Sequence, residues 1–112
     1  MLISEAIKVL EDFGKDNGIA VAFSHFTGEV TPPYMVYLVP TTDNFNADNI
    51  TYQVIRELEV ELYTRENTLQ TESLLENAMT YFGFAWDKTS QTWTDEDKVF
   101  MSVYTLGEFL NG

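Results

Sequence analysis

The stretch Ile50–Thr64, ITYQVIRELEVELYT, alternates in a way that constrains everything around it. Its even positions are Ile50, Tyr52, Val54, Arg56, Leu58, Val60 and Leu62; its odd positions are Thr51, Gln53, Ile55, Glu57, Glu59, Glu61 and Tyr63. A period of two predicts a half-buried β-strand, because successive side chains point to opposite faces. One face is mostly apolar and suits a core. The other carries three carboxylates in a row, about 7 Å apart along the strand. Like charges on one face repel, so the stripe does not serve stability. It is either a solvated face or a surface that something requires to be negative.

The remaining elements are read outward from that strand. Residues 3–14 predict a helix with Ile3, Ala6, Ile7, Leu10 and Phe13 on one face, Ser4 as N-cap and Glu5 in the first turn. Gly14 and Asp16-Asn17-Gly18 end it. Ile19–Ser24 predicts a short strand, and residues 25–33 a loop. Tyr34–Val39 is apolar on both faces and predicts a central strand, stopped by Pro40. Thr41–Asn49, rich in Asp and Asn, predicts a loop with Phe45 in its middle. Glu66–Phe82 predicts the second helix, with Leu69, Leu74, Leu75, Ala78, Met79 and Phe82 on its apolar face, Asn67 or Thr68 as cap and Gly83 as stop. Phe84–Trp86 and Gln91–Thr94 predict extended chain around a polar turn at Asp87–Ser90. Lys98–Leu106 predicts the last strand, and Gly107–Gly112 a short tail. The order αβββαββ predicts an α+β fold: one mostly antiparallel sheet with two helices packed on one face. At 112 residues, the whole of 1–112 is expected to be a single domain.

Composition narrows the function. The net charge is −12, from 18 acids and 6 bases, and the bases are scattered. Nucleic-acid affinity rests on Lys and Arg neutralising phosphates, so tight DNA or RNA binding is not expected. Anionic membranes are equally poor partners, and no apolar run approaches the ~20 residues that span a bilayer. The start of the chain lacks the pattern of a secretory signal, so a soluble, cytoplasmic or particle-bound protein is expected. There is no Cys, hence no disulfide, thiol nucleophile or thiolate metal site.

No motif carries catalysis. Glu57, Glu59 and Glu61 point the same way on one strand and cannot flank a glycosidic bond unaided. His25 is the single histidine, and Ser24 beside it is expected on the opposite side of the strand. Asn44-x-Asn46-x-Asp48 starts like a calcium loop, but Asn49 replaces its Gly and Ile55 its bidentate Glu. No phosphate-cradling or zinc-protease motif occurs, and Asn49-Ile50-Thr51 matches a glycosylation triplet without a secretory context. Hence no catalytic residues, no cofactor and no metal are assigned, and no enzyme is expected. Arg56 interrupts the apolar face of the long strand. It is read as a rim residue paired with an acid, or as a salt bridge to another subunit. Phe45 either folds back on its own core or anchors a neighbour.

PPYMVYL at 32–38, TDNFNADN at 42–49, the strand ending in VELYT and the terminal TWTDEDKVFMSVY together give the chain a further character. Over residues 20–106 it resembles the tail-completion, tail-terminator or head–tail joining proteins of siphophages and prophages of Gram-positive bacteria. The resemblance implies a structural virion protein at the head–tail interface. Such a protein caps the tail tube as a ring, commonly a hexamer, and joins it to the head connector. The implied partners are other copies of the chain, the tail tube protein and the head connector protein. DNA would pass through without tight binding, and assembly would take place in the host cytoplasm. On this reading Glu57, Glu59 and Glu61 face the channel, and Asp43, Asn44, Phe45, Asn46 and Arg56 are candidate subunit or partner contacts. The alternative class is a small acidic inhibitor or binding module that mimics the charge of DNA.

Overall fold

The computed structural model describes residues 1–40, 42–47 and 50–111, with side chains described outside 42–47 and 50–53. The elements are α1 (Ile3–Asn17), β1 (Ala20–Phe23), β2 (Tyr34–Leu38), β3 (Thr42–Ala47), β4 (Ile50–Thr64), α2 (Thr68–Tyr81), β5 (Trp86–Thr94) and β6 (Val99–Leu110). The fold is α+β. The strands lie in the order β1-β2-β4-β6-β5, with β3 also on β4. Every pairing is antiparallel except β1 with β2.

β4 is the spine of the sheet. β6 runs along one side of it from Ile55 to Thr64. β2 covers the other side opposite Glu59–Tyr63, and β3 continues on that side opposite Ile50–Arg56. β2 and β3 thus form nearly one antiparallel partner, interrupted around Pro40, where a residue without an N–H cannot join the ladder. The segment expected as a loop at 41–49 therefore contains a strand. Its Asp and Asn residues have poor strand propensity, and pairing with β4 overrides it. Beyond Val54, whose carbonyl accepts from Asn111 N–H, β4 pairs with β3 alone. The result is a two-stranded arm, in a chain with overall extents of 52 × 29 × 24 Å.

The two faces of β4 divide as its alternation requires. Leu58, Val60 and Leu62 are fully buried in one hydrophobic cluster with Met35, Tyr104 and Leu106. α1 adds Ile3, Ala6, Leu10 and Phe13 to that cluster, and α2 adds Leu75 and Met79, so both helices cover this one face. A bulge where Gly107 and Glu108 oppose Glu57 reverses the alternation of β6, which turns Phe109 inward against Phe84. β6 therefore runs on to Leu110 rather than ending in a tail after Leu106. A second bulge between Lys88 and Ser90 absorbs the expected polar turn into a single strand, β5.

The helix ends follow backbone chemistry. α1 extends to Asn17 and stops at Gly18, which holds the left-handed φ of 68°. Its N-cap is Leu2, not Ser4, because Leu110 N–H bonds Met1 O and draws the start of the chain onto β6. Glu5 Oε1 accepts from the Leu2 N–H at 2.9 Å, serving a donor the helix leaves open. α2 starts after Asn67, and Gly83 at φ 81° ends it.

Candidate functional site: the uncovered face of the sheet

The face of the sheet opposite the helices carries the odd residues of β4. Glu61 lies between Val36 of β2 and Val103 of β6, Glu59 between Leu38 and Thr105, and Tyr63 between Tyr34 and Met101. Glu57, Glu59, Glu61 and Tyr63 are each half-buried, shielded by their neighbours in the sheet rather than by a helix. The structure brings the three carboxylates together as the alternation predicts, along one strand on one face. They are not identical in surroundings. Glu61 Oε1 accepts from the Tyr63 hydroxyl at 2.8 Å, while Glu59 makes no hydrogen bond or ion pair among the described residues.

One end of this face is roofed. β1 and β2 are parallel neighbours, so the chain between them must cross from one end of the sheet to the other. Ser24 turns it with a left-handed φ of 66°. Residues 25–33 then pass over the uncovered face, where Phe26 meets Tyr34 edge-on at 5.5 Å. Tyr34 in turn stacks on Tyr63 at 4.8 Å and 11°. Each such pair contributes about 0.5–1.5 kcal/mol beyond its burial. Burial, reinforced by Glu61, pushes the Tyr63 hydroxyl far above its ordinary pKa, so Tyr63 stays a neutral donor to that carboxylate. A cavity of about 270 Å³ remains under the loop, lined in part by His25, Phe26, Tyr34, Tyr63 and Asp97.

His25 is exposed, with Nδ1 3.2 Å from Ser24 Oγ. The two do not sit on opposite sides as strand residues would, because the left-handed Ser24 has left the strand. No carboxylate bonds the ring among the described residues. No group of three or more His, Cys, Asp or Glu there is placed to hold a metal.

Arg56 is half-buried beside Phe109 and donates from Nε to Asn111 Oδ1 at 2.7 Å. Asp43, Asn44, Phe45 and Asn46 lie on β3, opposite Ile55, Val54, Gln53 and Thr51. Their side chains lie outside the described residues, and so does the choice between a core and an interface for Phe45.

A polar cluster has no counterpart in the sequence reading. Glu72 of α2 is 3% exposed. It accepts from Lys88 Nζ at 3.1 Å, from Gln91 Nε2 at 2.9 Å and from Ser102 Oγ. Next to it the Tyr104 hydroxyl donates to Glu76 Oε2 at 2.6 Å, and Trp86 Nε1 donates to Thr80 Oγ1 at 3.0 Å. These bonds pin α2 to β5 and β6. Consequently the helix is rotated from its expected setting: Leu69, Leu74 and Phe82, expected in the core, are exposed, as is Tyr81. The available signal was position. Glu72 stands three residues before Leu75 and seven before Met79, on the buried stripe.

No helix among the described residues is long and apolar enough to cross a membrane. No protein-family model matches the chain, and no curated protein matches it either.

Proposed function

We propose that the chain is a structural subunit of a phage-type head–tail interface, which caps the tail tube as an oligomeric ring and joins it to the head connector. The observation that carries this reading is the acidic stripe Glu57–Glu59–Glu61 on the sheet face that both helices leave uncovered. A face of this kind lets DNA pass, because carboxylates repel phosphates and offer no Lys or Arg contacts that would have to be broken. The cross-strand neighbours Val36, Val103 and Leu38 are apolar and add no cation beside the carboxylates. The β3–β4 arm, carrying Asp43, Asn44, Phe45 and Asn46, is the element that reaches beyond the body of the subunit, and we assign it the contact to tube or connector.

Solution mass measurement with negative-stain microscopy tests the proposal. The expected result is a ring about as wide as a tail tube, free or on tube ends. Shortening the arm should abolish capping and leave the folded monomer intact. Capping that survives removes the assignment of the arm. Firm retention of the chain on duplex DNA at physiological salt refutes the passage role. A small species that forms no ring, even with tubes, and captures a nucleic-acid-binding enzyme replaces this reading with charge mimicry.

A further inference from the structure

Outside the β3–β4 arm, the described residues of the sheet leave two bare edges on opposite sides. β1 ends it on one side and β5 on the other. Outer strands leave alternate N–H and C=O groups unpaired, and soluble proteins normally blunt such edges with charge, proline or bulges. Charge and proline are absent from the stretches that matter, Ala20–Phe23 and Ser90–Thr94. In β5 the bulge and the charges Asp87 and Lys88 lie at the start, and Ser90–Thr94 beyond them is exposed or half-buried, uncharged and regular.

The two edges also match each other. β5 runs parallel to β4 in direction, and β1 runs against it, as the chain of pairings requires. A second copy placed beside the first by rotation about an axis along the strands therefore sets its β1 antiparallel to β5, the commoner pairing. The smooth part of β5, Ser90–Thr94, is close in length to the four residues of β1. Phe23 is 58% exposed and Trp93 43% exposed, and both project on the helix-bearing face. Edge pairing brings this face of the two copies side by side, with an aromatic anchor from each. Because the two edges differ, the contact is head to tail, and such contacts close into rings or continue as filaments.

We propose that copies of this chain associate edge to edge, β5 of one against β1 of the next, through Ser90–Thr94 and Ala20–Phe23. The inference supplies the subunit contact for the ring of the proposed function and rests on that reading only for what the assembly does. It also places the uncovered faces of all copies on one continuous wall, so that the stripes of successive subunits lie side by side.

The chain has no cysteine, which makes a directed cross-link clean. Ala22 and Thr92 both belong to the uncovered face, on opposite edges. One chain carries Ala22→Cys and another Thr92→Cys; they are mixed in equal amounts, oxidised, and examined by native mass spectrometry and non-reducing electrophoresis. The expected result is a cross-linked pair from the mixture and none from either variant alone. The double variant Ser90→Lys/Thr92→Lys should melt within a few degrees of the parent yet shift the main species to monomer. Cross-linking within a single variant shows two-fold pairing of like edges and overturns the proposal. So does an oligomer whose mixture does not cross-link, which assigns the contact to another surface such as the arm. A monomer at every concentration overturns edge pairing and leaves capping to be decided on tubes. Cross-linked oligomers that leave tube ends uncapped overturn the capping reading and keep the edge contact.

Discussion

Replacing Glu72 by Ala tests whether α2 is held by polar rather than apolar contacts. The substitution removes the common acceptor of Lys88, Gln91 and Ser102. Lys88 retains 30% exposure of its side chain and turns to water, so its loss costs less than the ~3–5 kcal/mol of a fully buried broken pair. Ser102 is 0% exposed and has no such escape, so its hydroxyl forfeits about 1–3 kcal/mol. A combined loss of about 3 kcal/mol is a large part of the ~5–15 kcal/mol that holds a domain together. With an unfolding entropy of about 2.1 cal/mol/K per residue, it lowers Tm by about 13 °C. Urea titration and thermal melts measure both. Trp86, against Tyr104 at 5.8 Å, reports on the same contact by fluorescence. The double variant Glu72→Leu/Ser102→Ala should recover most of the loss, since it removes the one donor that is fully buried, while the exposed Gln91 and the partly exposed Lys88 turn to water. A Tm change under about 3 °C for Glu72→Ala, or no recovery in the double variant, refutes the reasoning.

Two further outcomes follow from particular contacts. Tyr63 and Tyr104 have hydroxyl pKa values raised chiefly by burial and then by their bonds to Glu61 and Glu76. Unfolded tyrosine titrates near pH 10, so above about that pH the unfolded chain holds fewer protons than the native one. Stability is then complete below about pH 10 and falls as pH rises through the folded values, by at most about 1.4 kcal/mol per pH unit for each tyrosine; alkaline denaturation monitored at the tyrosinate absorbance checks this, and Tyr63→Phe should flatten the slope. Gly14→Ala should destabilise by about 1–3 kcal/mol in a urea titration, although alanine favours helix by ~1 kcal/mol, because its Cβ would stand 2.5 Å from Ile19 O and collide with Val21 Cγ2.

The parts of the fold legible in the sequence are those whose side-chain pattern and backbone agree. β4 is legible at full length because its period of two survives from Ile50 to Thr64, and the same alternation separates the Leu58 side from the Glu59 side. β3 is not legible, since nothing in TDNFNA favours a strand until β4 lies beside it. The setting of α2 is misread for a related reason. Leu69, Leu74 and Phe82 outweigh Glu72 in any count of apolar residues. Yet the donors of β5 and β6 reward a carboxylate at that position, and they come from residues 16 to 30 positions away. The candidate site is legible as a stripe, and the roof of Phe26 over Tyr34 and Tyr63 is not, because it follows from a parallel crossover that no local pattern encodes.

The stripe itself allows a separation of function from stability. Three carboxylates about 7 Å apart on one strand repel by roughly 0.6 kcal/mol per neighbouring pair in a water-like dielectric, and more where the sheet excludes water. Glu59 stands between the other two, and the described residues give it no hydrogen bond that Gln would lose. Glu59→Gln should therefore raise stability by about 1 kcal/mol at low salt. Raising the salt shortens the Debye length from about 30 Å at 0.01 M to about 8 Å at physiological strength, and the gain should shrink accordingly. Melts at the two salt concentrations measure it. A negative charge whose removal steadies the fold is kept for something other than folding, which is what a wall facing a passing polyanion requires. If Glu59→Gln lowers Tm instead, or if its effect ignores salt, the carboxylate is part of the packing and the stripe loses its claim to face DNA.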